Sequence, residues 1–93
     1  MNELELVPKK NNIRLKEQEG KYVIFNLETS GFHMIEKDAF DLLEKVDGEL
    51  TIGELAEFFA TEKNLNKEEL SKDFVTFFKG LELRKIIELS SKE

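Results

Sequence analysis

Cysteine is absent from the 93 residues. That excludes disulfides, thiolate nucleophiles, iron–sulfur ligation and cysteine-bound zinc, and it fits a reducing compartment. Tryptophan is missing too, and His33 is the single histidine, so a metal site would have to rest on carboxylates. No apolar run reaches membrane-spanning length and no signal-peptide pattern opens the chain. A cytoplasmic protein without a membrane partner is expected. Basic runs are scarce, none exceeding two residues, as in Lys9-Lys10. With 20 acidic and 14 basic residues and a net charge of −6, the chain lacks the basic stripe that neutralises phosphates. Nucleic acid is therefore not the expected partner. The five glycines are scattered at positions 20, 31, 48, 53 and 80, which leaves no phosphate-cradling loop.

Catalytic machinery is equally hard to assemble. Carboxylate pairs such as Asp38 with Asp41, or Glu54 with Glu57, lie at helical spacing on polar faces among lysines. Catalytic carboxylates need a cleft that shifts their pKa values. The reading is a binding module, not an enzyme, with no cofactor and no metal.

What is present points to one small domain. Hydrophobic residues make up 40 % and charged residues 37 %, enough for a core under a heavily solvated exterior. Residues 1–12 read as an N-terminal arm: Leu4, Leu6 and Val7 are apolar, then Pro8 and polar residues interrupt, consistent with either a docked arm or a frayed tail. Ile13 to Glu17 alternates with the period of a half-buried strand. Gln18-Glu19-Gly20 supplies a turn, and Tyr22 to Leu27 reads as a more buried strand. After a turn ending at Gly31, Phe32 to Ile35 makes a short third strand. Connections this short favour an antiparallel meander.

From Glu36 the period becomes helical. Ala39, Leu42, Leu43 and Val46 share a face, and Asp47-Gly48 ends the helix. Thr51-Ile52-Gly53-Glu54 is a capping box opening a second helix, and Asn66-Lys67-Glu68-Glu69 a second box opening a third. The third helix is expected to stop near Gly80. Leu83 to Leu89 reads as a further extended segment, and residues 90–93 as a loose tail. Strands grouped before helices give an α+β class. Every glycine except Gly53 has a turn or cap role.

Two features invite a partner. In the third helix Leu70, Phe74, Phe77 and Leu81 form a stripe expected to face the core. Phe78 lies at its edge, and Val75 lies outside it beside Ser71. These either pack on other elements or face a partner. The third strand, in a three-stranded meander, is an edge with free N–H and C=O groups that another chain can extend.

In their order and spacing these residues resemble the PqqD-like family of peptide-recognition domains, over roughly residues 13–89. Gly20-Lys21-Tyr22-Val23-Ile24-Phe25-Asn26 is similar to the family's strand. Met34-Ile35-Glu36, Asp47-Gly48, Thr51-Ile52-Gly53-Glu54-Leu55 and Asp73-Phe74-Val75 with Phe77, Phe78 and Leu81 follow its later motifs. Two residues depart from the pattern: Lys85 where a Gly is usual, and Glu36 where an Asn is usual. The resemblance implies a winged-helix-like fold, a three-stranded antiparallel sheet followed by a three-helix bundle. It implies that the leader segment of a ribosomally made precursor peptide adds as a strand. The site would be Gly31, Phe32, His33, Met34 and Ile35 on the strand, with Ser71, Val75 and Phe78 on the helix. It also implies a partner enzyme, typically a radical S-adenosylmethionine protein, and a monomeric module. Two other readings share the fold class: a winged-helix DNA-binding regulator, and a protein–protein adaptor using the same apolar strip.

Overall fold

The computed structural model describes residues 2–91. Met1 of the arm and Lys92 and Glu93 of the expected tail lie outside the described residues. A 3-10 turn (Glu3–Glu5) leads into β1 (Leu6–Lys10), β2 (Ile13–Gln18), β3 (Lys21–Asn26) and β4 (Gly31–Ile35). Then come α1 (Lys37–Lys45), α2 (Ile52–Lys63), α3 (Lys67–Leu83) and β5 (Ile87–Ser91). β2, β3 and β4 form the antiparallel meander, in that order, and α1 to α3 follow it.

The hairpin joining β2 to β3 closes over Glu19 and Gly20, whose φ values of 53° and 77° are both positive. That is the twist a two-residue hairpin needs. β3 turns into β4 through Asn26, whose Oδ1 accepts from the amides of Glu28 and Thr29. α2 begins with the full capping box: Thr51 Oγ1 accepts from the Glu54 amide at 3.1 Å and Glu54 Oε1 from the Thr51 amide at 2.9 Å. Asn66 Oδ1 accepts from the Glu69 amide at the start of α3. Glu36 occupies the N-cap of α1 without a side-chain hydrogen bond, so that helix starts less well capped than the other two.

Three points are decided or corrected. The arm, left open between docked and frayed, is docked: β1 pairs antiparallel with β5, Leu6 opposite Ser91 through Lys10 opposite Ile87. Val7 and Pro8 are buried, so residues 2–12 belong to the domain. Pro8 hid this strand, yet a two-stranded ribbon has a free edge on each strand where a missing N–H is tolerated. Ser90 and Ser91, expected in the tail, close the same ribbon.

Second, α3 runs past Gly80 to Leu83. It ends in a Schellman motif: the Ile86 amide donates to the Leu81 carbonyl, and the Lys85 amide to that of Glu82, both at 3.0 Å. Lys85 holds the left-handed position at φ 62°.

Third, α3 is rotated from the expected face. Its buried residues are Ser71, Phe74, Phe78 and Leu81, whereas Leu70 and Phe77 are half-buried. The sequence offers two overlapping apolar stripes. The arm, α2 and β5 pack on α3 together and bury the one that contains Phe78.

The core gathers Ile24 of β3, Leu42, Leu43 and Val46 beside α1, Ile52, Leu55 and Ala56 of α2, Phe74, Phe78 and Leu81 of α3, and Ile86 and Ile87. Gly53, without a role in sequence, underlies the arm. A Cβ there would stand 3.2 Å from the Leu4 carbonyl oxygen and 3.3 Å from Leu4 Cβ.

Candidate functional site

The site is built on β4. It ends the three-stranded sheet, and among the described residues no strand pairs with its outer side. Backbone alternation tells which groups point there. The Leu27 amide donates to the Asn12 carbonyl at 2.9 Å. Counting back, Phe25 and Val23 also face β2, while Tyr22, Ile24 and Asn26 face β4. Their partners Ile35, His33 and Gly31 are thereby engaged. The N–H and C=O groups of Phe32 and Met34 point to the free edge.

Side-chain alternation sorts the same residues by face. Ile24 is completely buried and sits between Leu15 and His33. Gly31, His33 and Ile35 therefore lie on the core side of the sheet. Phe32 and Met34 lie on the outer side, each 62 % exposed. Val23 and Phe25 share that outer side with Arg14, Lys16 and Lys21.

At the Ile35 end, β4 borders a cleft of about 370 Å³ between α1 and α3. Its floor is apolar, made of Ile35, Ala39, Leu42, Phe74 and Phe77, and Glu36, Asp38 and Asp73 stand around it. The volume falls at the small end of ligand pockets and suits one or two side chains.

Of the helix-side residues named from sequence, none lines this cleft. Phe78 is completely buried, and burial of such a ring stabilises the fold by about 1.5–3 kcal/mol. Ser71 and Val75 line a separate cavity of about 680 Å³ between α3 and the turn at Asn2, Glu3 and Leu4. Phe77, Phe74 and Asp73 line the cleft beside β4 instead. From sequence, Phe74 and Phe77 belonged to the stripe expected to face the core, and the apolar surplus of α3 was assigned to Val75 and Phe78.

The other candidates fall into ordinary roles. Asp41 pairs with Lys37 at 2.9 Å and Asp38 with Lys63 at 2.9 Å. The hydrogen bond to Asp41 raises the Lys37 pKa. Glu54 closes the capping box, and Glu57 lies 3.9 Å from Lys67. No group of three or more His, Asp or Glu among the described residues could hold a metal ion. The exposed side of α3 mixes Lys67, Lys72 and Lys79 with Glu68, Glu69 and Glu82, and Lys79 pairs with Glu3. It offers no basic ridge to a nucleic-acid groove. No helix among the described residues is long and apolar enough to cross a membrane.

The fold that carries this strand edge and cleft recurs in a solved structure. The chain is similar to the solution NMR structure of the PqqD truncation of Methylobacterium extorquens PqqCD, with a TM-score of 0.76 and 22 % identity over 88 % of each chain. This chain has the PqqD fold. The M. extorquens domain is a functional and stand-alone recognition element for ribosomally synthesised and post-translationally modified peptides. No family model and no curated protein matches the chain. In this PqqD-type fold, β4 is the exposed end of the meander and α3 the wall across the cleft.

Proposed function

We propose that the chain is a non-catalytic module that captures the leader segment of a ribosomally made precursor peptide and presents it to a modifying enzyme. The observation that carries this reading is the free edge of β4 running into the apolar cleft. An extended leader adds beside β4, exchanging main-chain hydrogen bonds with Phe32 and Met34. Its side chains then alternate, one set toward Ile35, Phe74 and Phe77, the other beside Phe32 and Met34 on the outer face. Main-chain bonds supply affinity with little sequence preference; the cleft sets register and selectivity.

Gly31, His33 and Ile35, named for the groove from sequence, form the side of the strand paired with β3, and Ile35 borders the cleft. Phe77 and Phe74 replace Phe78 as the apolar wall. Ser71 and Val75 flank the site's far side without touching the peptide. The chemistry belongs to the partner, of the radical S-adenosylmethionine type, in the cytoplasm, and the module works as a monomer. Holding the leader there raises the effective concentration of the core peptide at that partner.

The test is an amide-resolved NMR titration with the leader half of the precursor peptide encoded beside this chain. Saturable shifts concentrated in residues 31–36 and 73–77 are expected. Shifts confined to the Ser71–Val75 cavity and the arm would overturn the β4 assignment.

A further inference from the structure

We propose that the outer face of the β2–β3–β4 sheet docks the enzyme that modifies the bound peptide, and that the enzyme meets it with apolar side chains ringed by carboxylates. The inference rests on the leader-binding reading. Single exposed apolar residues are ordinary on protein surfaces. Here the exposed Phe32 and Met34 adjoin the half-buried Val23 and Phe25. The register sets Met34 opposite Val23 and Phe32 opposite Phe25, whose rings lie 6.2 Å apart. The patch is small, and it adjoins the strand edge proposed to carry the peptide.

Charge names the partner. On the next strand Lys16 stands opposite Val23 and Arg14 opposite Phe25, and Lys21 opens β3 on the same face. All three are exposed. The charged strand residues on this face are all cations, in a chain whose net charge is −6. A carboxylate-bearing surface is attracted here and repelled by most of the remaining molecule, which gives orientation as well as affinity. Single-stranded nucleic acid fits less well: the Phe25 and Phe32 rings are tilted by 41°, so they offer no flat platform for stacked bases.

Size sets the strength. Strand axes about 4.8 Å apart and a rise of about 3.3 Å per residue make the face roughly 10 by 16 Å between axes. That is far below the ~800 Å² per partner of a stable complex, so the contact is transient by itself. The leader supplies the second attachment. β4 serves both, its edge carrying the peptide and its outer side chains the enzyme, so docking brings the enzyme alongside the bound strand.

The test uses a triple variant, Arg14→Glu with Lys16→Glu and Lys21→Glu, its fold checked by the amide spectrum. Two probes are titrated separately: the purified modifying enzyme encoded in the same gene cluster, and the leader peptide. Enzyme affinity is expected to fall about tenfold or more, and to fall with added salt in the parent. Leader affinity is expected to stay within about twofold, because the leader's main-chain partners are on β4. Unchanged enzyme affinity in the triple variant overturns the proposal. So does a parent that binds leader but not enzyme, or one whose outer face instead binds a short single-stranded RNA or a second copy of the chain. A parent that binds the enzyme through this face but never the leader overturns the leader-binding reading and leaves the surface standing.

Discussion

Lys85 shows how one side chain records a local cost. It holds φ 62° at the position after α3 where a Schellman motif favours glycine. The motif forms regardless, because Leu81 and Ile86 on either side of it are buried. A left-handed residue with a Cβ costs about 1–2 kcal/mol. Lys85→Gly removes that strain, offset by the greater unfolded-state freedom of glycine. The expected net gain is about 0.5–1 kcal/mol, read as a rise in denaturation midpoint with the m-value unchanged.

Asp47 makes a different local contribution. Its Oδ1 accepts from the amides of Leu50 and Glu49, which hold its carboxyl below the ordinary value of 3.8. The folded pKa being depressed, the stabilisation is present above the unfolded value and is lost as pH falls through the folded one. Asp47→Asn keeps an acceptor for the turn but has no proton to gain. Its stability is expected to fall less steeply than the parent's between neutral and strongly acid pH, as measured by urea midpoints. An equal slope would mean the Asp47 turn is not linked to folding.

Among the elements, the N-terminal arm meets α2 at one especially close contact. Leu4 lies directly over Gly53 in the first turn of α2, with no room for a Cβ of ordinary clearance. Gly53→Leu forces the arm off α2. The strain of overpacking, about 1–3 kcal/mol, is expected to appear as lost stability. Amide exchange is expected to quicken selectively at residues 2–8, with α1 unchanged. Uniform loss of protection across the domain would show that the arm is instead part of the cooperative core. α3 carries the complementary lesson: Phe78→Ala opens a core cavity and costs about 3–5 kcal/mol. It therefore reports on folding and not on peptide capture.

For the molecule as a whole, the proposed site separates backbone from side-chain affinity. Met34→Pro removes one donor from the free edge while the engaged groups of β4 face β3. Proline is tolerated on edge strands. Leader affinity is expected to fall about tenfold, the worth of one hydrogen bond of ~1.4 kcal/mol. Phe77→Ala empties the cleft wall and is expected to weaken binding by about as much or more. Val75→Glu, across the helix, is expected to leave binding unchanged in calorimetry. Loss of binding in Val75→Glu with none in Phe77→Ala would move the site to the arm-side cavity.

The sequence by itself determined most of what local chemistry sets. Alternation from Ile13 onward specified the meander, Glu19-Gly20 its hairpin, and Thr51 with Glu54 the start of α2. Such signals survive because each depends on residues within a few positions of one another. The edge character of β4 followed from counting strands. Tertiary structure alone decided the rest. Residues 6–10 became a strand only because Ile87–Ser91 lies beside them, a pairing across nearly the whole chain that no local window contains. Which stripe of α3 faces inward was undetermined while two overlapped by a single residue step. The arm, α2 and β5, arriving from distant parts of the chain, buried Phe78 and left Phe77 at the cleft. A helix of fixed periodicity still has one rotational freedom, and only the packing of its neighbours removes it.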